Sequence, residues 1–312
     1  CRIVKMKLSI IIPCFNEEES IIPFLQETQK IEQELSDLTF EYLFIDDGSK
    51  DNTLAVLKEQ KKQQNNVAYL SFSRNFGKES ALFAGLEYAT GNFITVMDAD
   101  LQDPPELLPK MYEKIQEGYD VIGTRRVNRT GEPVIRSWFS RLFYRIINKA
   151  SDVEMVDGAR DFRLMTRQVV ESILELKEVN RFSKGLFSWV GYKTYYISYE
   201  NVERKAGQSS WRFFSLVKYA VEGIVNFSDM PLNIAVWTGI LSFIASILSI
   251  VFVVVRQLIF GNPVTGWASM VSIMLFIGGI QLFALGIIGK YISKIFSETK
   301  NRPKYIIREK SN

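Results

Sequence analysis

Histidine is absent from all 312 residues. Without imidazole there is no Ser-His-Asp triad, no histidine-ligated zinc and no imidazole general acid or base. Carboxylates, lysine, tyrosine and bound metal are what remain for chemistry. Cysteine is nearly absent: Cys1 and Cys14 have no metal-type spacing and build no disulfide framework. Net charge is also small, +3, so nothing in the overall balance points to nucleic acid, and any basic patch has to be local. No apolar run is followed by Gly-x-Gly-x-x-Gly, and no Gly-x-x-x-x-Gly-Lys-Ser/Thr loop occurs, which removes the nicotinamide, flavin and P-loop fingerprints. Residues 1–5 precede Met6 and the first apolar run, and read as upstream sequence.

What is present is a repeated pairing of buried strand and polar turn. Leu8 to Pro13 is a continuous apolar run suited to a central parallel strand. Asn16 is a candidate helix N-cap after it, with Glu17, Glu18 and Glu19 in the first helical turn. Tyr42 to Ile45 ends in Asp46-Asp47-Gly48-Ser49, with Ser49 or Asp51 placed to cap a second helix. Val67 to Phe72 leads through Phe76-Gly77-Lys78 into a small-residue helix from Ser80 to Ala89. Phe93 to Met97 and Asp120 to Gly123 are further strands. This alternation predicts an α/β domain with a mostly parallel, doubly wound sheet.

The strand at Phe93 stops abruptly in Asp98-Ala99-Asp100-Leu101-Gln102-Asp103-Pro104-Pro105. Carboxylates at the carboxyl end of a parallel strand face the crevice where open α/β sheets bind ligands. Asp98 and Asp100 are spaced to share one hard cation, Mg²⁺ or Mn²⁺, with a diphosphate completing its shell. The plainer alternative is that they end a strand and cap the next helix. Lys78 follows a third strand, and Arg125, Arg160, Arg163 and Arg204 come later. Such a crevice suits a metal-bound nucleotide diphosphate on its acidic side and an anion on its basic side.

Beyond Arg126 the pattern changes. Arg136 to Lys149 interleaves aromatics and arginines at helical spacing, as either a membrane-interface helix or a cover for the sheet. Asp157 to Met165 is a charged loop entering a strand, and Thr166 is placed to cap the helix that follows to Leu176. Tyr195 to Val202 reads as a strand, Glu203 to Trp211 as a polar loop, and Phe213 to Phe227 as an amphipathic helix. Leu232 to Val255 and Trp267 to Ile288 then carry no charge, and each is longer than the roughly 20 apolar residues that cross a hydrocarbon core. The connection between them has one cation, Arg256, whereas Lys290, Lys294, Lys300, Arg302, Lys304, Arg308 and Lys310 follow the second. The positive-inside rule therefore predicts a multi-pass cell-membrane protein with its catalytic domain and C-terminus cytoplasmic. The spacing of Ser242/Ser246 and Ala245/Ser249 suits helix packing between copies in a homo-oligomer, with random occurrence of small residues as the alternative.

Taken together, Pro13-Cys14-Phe15-Asn16-Glu17, Asp46-Asp47-Gly48-Ser49, Phe76-Gly77-Lys78 and Asp98-Ala99-Asp100-Leu101-Gln102-Asp103-Pro104 resemble the family-two glycosyltransferases of the GT-A fold. Within them the chain is most similar to the polyprenyl-phosphate glycosyltransferases, in the bacterial undecaprenyl-phosphate branch with two C-terminal spans. The resemblance implies a GT-A domain over 6–211, a juxtamembrane amphipathic helix over 212–230, two transmembrane helices over 231–290 and a basic cytoplasmic tail over 291–312.

The resemblance also implies roles. Pro13, Phe15, Glu17 and Asp46 or Asp47 would hold base and ribose, with Lys78, Asp98 and Ala99 completing the nucleotide site. Asp98 and Asp100 would bind Mg²⁺ or Mn²⁺ on the diphosphate, and Gln102 would face the sugar. Asp161 sits where a catalytic carboxylate is expected, beside Asp100 and Gln102 in that set. Arg125, Arg163, Arg204 and Lys205 would meet the acceptor phosphate, although Ser210 stands where the family's phosphate-binding element ends in lysine. The implied reaction is an inverting transfer from a nucleotide sugar, UDP-glucose or UDP-GlcNAc, to polyprenyl phosphate. The alternatives are a processive polysaccharide synthase and a non-catalytic membrane scaffold. The synthase's Gln-x-x-Arg-Trp element is missing, since Trp211-Arg212 has the reverse order.

Overall fold

The computed structural model describes residues 5–126, 156, 158–179, 181, 183–199, 230–260 and 266–311. The expected helices at 136–149 and 213–227 and the loop at 203–211 lie outside them. Eight strands form one sheet: β1 (Met6–Cys14), β2 (Leu38–Asp46), β3 (Val67–Phe72), β4 (Phe93–Val96), β5 (Val121–Arg126), β6 (Ala159–Thr166), β7 (Thr194–Tyr199) and β8 (Ile307–Lys310). Their spatial order is β7-β5-β6-β4-β1-β2-β3-β8. The central β3-β2-β1-β4 block is parallel, and β6 and β8 enter antiparallel on its two sides. This is the mostly parallel, doubly wound sheet expected of the GT-A fold.

Successive side chains of β1 serve opposite faces, as a two-residue strand period requires. Leu8, Ile10 and Ile12 pack with Phe24 of α1 (Ile21–Glu34), Leu57 of α2 (Thr53–Gln63) and Met111 of α4 (Leu108–Gln116). Ile11 packs the other way, with Ala81 and Leu82 of α3 (Lys78–Tyr88) and Val169 of α5 (Arg167–Glu175). Each fully buried Leu, Ile, Val, Phe or Met side chain among these contributes about 1.5–3 kcal/mol. The sheet therefore has an apolar core on both faces, which is why its central strands read as unbroken apolar runs.

The sheet also sets where a site can form. From β1 the chain winds outward through β2 and β3, then returns to place β4 on the other side of β1. The order reverses between β1 and β4, so the loops leaving their carboxyl ends diverge and open a crevice there.

Two long helices, α7 (Met230–Phe260) and α8 (Trp267–Thr299), contain the expected spans and overrun them. Both are long and apolar enough to cross a membrane, and they contact each other. Their large apolar side chains face outward, with Leu282 72% exposed and Phe252 65%. Water is a poor solvent for so continuous an apolar surface.

Three local expectations change. Asn16 is not an N-cap: it has φ 56°, and α1 begins only at Ile21, so Glu17 to Glu19 precede the helix. Thr166 stands at the N-cap of α5, but its hydroxyl is buried with no partner. The basic tail, expected as a segment of its own, contributes a strand: Ile307–Lys310 closes the β3 edge of the sheet as β8.

Candidate active site

The first wall of the crevice is a pair of loops tied to each other. In the loop after β1, Asn16 N–H donates to Ser49 Oγ at 2.9 Å, and Lys50 N–H returns a bond to Asn16 Oδ1 at 2.9 Å. Glu17 N–H donates to Thr53 Oγ1 at 2.9 Å, and the Ser20 hydroxyl donates to Glu17 Oε2 at 2.6 Å. Pro13 and Glu17 are half-buried, whereas the Phe15 ring is exposed and able to cover a flat ligand.

Asp46 ends β2, and Asp47 follows it. Both are buried, and their oxygens are engaged by the chain itself. Asp46 accepts from Ser49 N–H at 2.9 Å and from the Ser71 hydroxyl at 2.7 Å. Asp47 accepts from Phe76 N–H at 2.6 Å and Gly77 N–H at 2.9 Å. They tie the end of β2 to β3 and to the loop after it. Burial raises the Asp47 pKa above the usual carboxylate value, against the two amide bonds that lower it.

Those amide bonds aim Lys78. Gly77 has φ 95°, a conformation that glycine adopts without strain, and α3 starts on the next residue. The Lys78 ammonium lies 2.7 Å from Asp98 Oδ1, just past β4, and 2.9 Å from Asp161 Oδ2 on β6. The antiparallel register explains the convergence: Val96 faces Arg163, so two further residues bring Asp98 opposite Asp161. Burial would lower the Lys78 pKa, but the charges of Asp161 and Asp98 outweigh it and raise it well above ordinary lysine. For Asp161, burial pushes upward, and Lys78 followed by Lys184 pulls its carboxyl far below the usual range. Asp98 moves up because burial and the Asp161 charge exceed the pull of Lys78. Lys78 thus stands between two carboxylates, and its charge favours the ionised form of Asp161.

Between them runs the acidic turn. Ala99 is buried and Asp100 and Gln102 are half-buried. Asp100 Oδ1 accepts Gln102 N–H at 3.1 Å across Leu101, which has φ 54°. A leucine in the left-handed region is strained, of the kind found where a site dictates backbone shape. Asp103, 2% exposed, turns inward and accepts from Arg160 Nε at 3.2 Å and the Tyr199 hydroxyl at 2.7 Å.

The opposite wall is cationic. Arg163 is buried, with its guanidinium 3.8 Å from the Phe187 ring centroid and donating to the Arg160 carbonyl at 3.0 Å. Lys184 stands in the first turn of α6 (Ser183–Trp189), and the charges of Asp161, Arg160, Arg163 and Lys78 all act on it. Glu79 holds that turn, accepting from Ser183 N–H at 3.1 Å and from the Ser183 hydroxyl. Arg125 is exposed on β5, while Arg204 and Lys205 lie outside the described residues. Sequence reasoning missed Lys184, the Glu79–Ser183 tie and the pairing of Arg160 with Asp103. Each joins distant segments, and no local spacing announces it.

The donor set fits a hard divalent cation in one respect. Among the described residues no group of three or more His, Cys, Asp or Glu side chains gathers as a cage. Mg²⁺ and Mn²⁺ need less where a diphosphate is present, since one or two carboxylates with phosphate oxygens suffice. Asp98 and Asp100, on one tight turn, supply that number.

Comparison with known proteins bears on these elements together. Residues 9–174 match the glycosyl transferase family 2 domain, and residues 230–295 match the GtrB C-terminal hairpin. A Bacillus subtilis (strain 168) protein bearing the glycosyltransferase name CsbB is 46% identical over 302 residues, 97% of this chain and 91% of that one. The SfII prophage-derived bactoprenol glucosyl transferase of Shigella flexneri is 44% identical over 306 residues, 97% of this chain and 98% of its own. Among solved structures, glucosyl-3-phosphoglycerate synthase from Mycobacterium tuberculosis with Mn²⁺, UDP-glucose and phosphoglyceric acid aligns with TM-score 0.47. It is 17% identical and covers 70% of this chain and 78% of that one.

Proposed function

Since the chain belongs to glycosyl transferase family 2, and is a glycosyltransferase, we propose that it moves a sugar from a UDP-sugar, glucose or N-acetylglucosamine, to polyprenyl phosphate. The observation that carries this reading is the Lys78–Asp98–Asp161 junction with Arg160, Arg163 and Lys184 beside it, in a chain that also bears two membrane-length helices. Relatives named bactoprenol glucosyl transferase over nearly the full length support a lipid-carrier acceptor and favour glucose.

The residues divide the work. Pro13, Phe15 and Glu17 line the base and ribose end, with Asp46 and Asp47 holding the loops. Asp98 and Asp100 would hold Mg²⁺ or Mn²⁺, which supplies positive charge against the departing diphosphate. Lys78 adds fixed charge on the same side, and Gln102 faces the sugar. The acceptor already carries an anionic oxygen near neutral pH, so attack on the anomeric carbon needs little proton removal. Asp161, ionised and bound to Lys78, orients that lysine and the neighbouring cations rather than acting as a base. Arg125 and Arg163, with Arg204 and Lys205, meet the acceptor phosphate. Holding two anions in line is the harder task, and positioning by cations answers it.

Strand β8 follows α8 and joins the same sheet as β1, which supports a C-terminus on the same side of the membrane as the catalytic domain. The cations that flank the second span favour the cytoplasmic side.

A single displacement inverts the sugar. Lipid product made by the full-length protein from α-linked UDP-sugar should carry a β-linkage by NMR, and chelation by EDTA should abolish product until Mg²⁺ or Mn²⁺ is restored. Retained configuration, or turnover unaffected by EDTA, contradicts the mechanism. Insoluble polymer in place of a one-sugar lipid favours the processive synthase.

A further inference from the structure

The segment that follows the second long helix takes no part in the site, yet it grips the frame that carries Lys78. The Ile306 carbonyl accepts Ser73 N–H at 2.9 Å, and Ile307 pairs with Phe72 across β8 and β3. Tyr305 stacks on Phe72 with centroids 4.9 Å apart and planes 14° from parallel. Phe76 meets the same Phe72 ring edge-on at 5.8 Å. The loop after β3 is therefore clamped between the Asp47 carboxylate on one side and the C-terminal segment on the other.

The same segment also holds α3 itself. The Tyr305 hydroxyl donates to Glu87 at 2.5 Å, and the Lys304 ammonium lies 3.7 Å from the Phe83 ring centroid. Both partners are on α3, whose first residue is Lys78. Against the sheet, α3 presents Ala81, Ala84 and Gly85, and a Cβ on Gly85 would lie 2.2 Å from Ile11 Cγ2. Leu82 and Leu86 of the same helix are buried in that layer as well. Glu298, in the last turn of α8, accepts Val179 N–H at 3.0 Å, so the segment leaves the helix from a fixed point on the domain.

We propose that residues 304–307, with Tyr305 at their centre, are a positioning strut that sets α3 along its axis and keeps Lys78 in register with Asp98 and Asp161. Tyr305 touches no reacting group; it acts through Lys78 and links the placement of the membrane helices to the site. The functional part rests on the glycosyltransferase reading. Misplacement by about 1 Å at a reacting centre can cost on the order of 10²-fold, so a small slip of α3 is enough to matter.

The test uses the full-length protein in detergent. Tyr305→Ala should lower kcat by about tenfold or more, and Tyr305→Phe, which keeps the stack, by about two- to threefold. In a Lys78→Met background Tyr305→Ala should add almost nothing, because both changes disable the same lysine. Additive losses would overturn the proposal. Hydrogen exchange gives a readout that does not need turnover: Tyr305→Ala should speed exchange at Phe76, Gly77 and the first turn of α3 while leaving α1 and α2 unchanged. Uniform acceleration, or none, would refute the strut. If wild-type protein makes no labelled lipid, the glycosyltransferase reading fails, and the exchange experiment still decides the strut. Should Tyr305→Ala fail to fold, Tyr305→Phe and Glu87→Gln carry the same comparison, with equal and non-additive effects expected and additive ones contradicting it.

Discussion

Lys78 Nζ lies 2.9 Å from Asp161 Oδ2, an ion pair that ties the start of α3 to a strand far along the chain. The same ammonium holds Asp98, so removing it leaves two carboxylates facing each other. Lys78→Met should lower turnover by at least about 10²-fold through lost charge at the departing diphosphate. Because the two carboxylates are only 27% and 25% exposed, stability should also fall, by about 1–3 kcal/mol. Transfer assays and thermal unfolding of Lys78→Met and Lys78→Arg check both parts, with arginine recovering part of each.

Lys304 gives a pH signature. Burial first, then the Arg181 charge, push its pKa down to about 8 from an ordinary 10.5, against Glu298, Glu87 and Glu178, which pull upward. Between those values the unfolded chain holds a proton that the folded chain lacks, so stability rises with pH across that window. Lys78 does not confuse the reading: its pKa is raised, and its contribution is lost only above the ordinary lysine value. The thermal stability of wild type relative to Lys304→Met should increase from about pH 7.5 to 10.5, a difference in which the opposing Cys14 and parallel Lys184 contributions cancel.

Gly48 is a position where only glycine fits. Its φ is +68°, and a Cβ there would lie 2.4 Å from the Arg74 carbonyl carbon, in the backbone of the loop that leads to Lys78. Gly48→Ala should cost more than about 1–2 kcal/mol, the strain of a left-handed alanine being only part of it. It should also weaken nucleotide binding, measurable by calorimetry with UDP, as the two loops are forced apart.

Much of the domain was legible because its central strands are buried on both faces. Val67–Phe72 falls where the apolar run places it, and β1 and β4 differ from expectation only at their ends. The acidic turn and Lys78 were legible because polar residues that interrupt such runs mark the carboxyl ends of strands. Long-range partnership was not. Asn16 is of a residue type that caps helices, but its side chain accepts Lys50 N–H from the neighbouring loop. Asp46 and Asp47 stand at a strand end, where nothing local separates a ligand from a brace. Strand β8, Ile-Arg-Glu-Lys, is short and charged in the manner of protected edge strands, and so it read only as part of a basic tail.

Tyr199 and Asp103 form a quieter pair. The Tyr199 hydroxyl donates at 2.7 Å to a carboxylate 2% exposed, joining the edge strand β7 to the acidic turn. Tyr199→Phe should cost about 1–3 kcal/mol, since the carboxylate keeps Arg160 but loses a buried donor. Thermal unfolding of Tyr199→Phe measures it, and a value near zero contradicts the bond's role in holding the turn.

The most direct measurement is formation of chloroform-soluble label by the full-length protein in detergent from radiolabelled UDP-glucose and undecaprenyl phosphate, beside Asp100→Asn and Asp161→Asn. The account predicts labelled lipid from wild type, dependent on the added lipid phosphate, and losses of at least about 10²-fold in both variants while UDP still binds. No labelled lipid from wild type with UDP-glucose or UDP-GlcNAc, or undiminished product from Asp161→Asn, would contradict it.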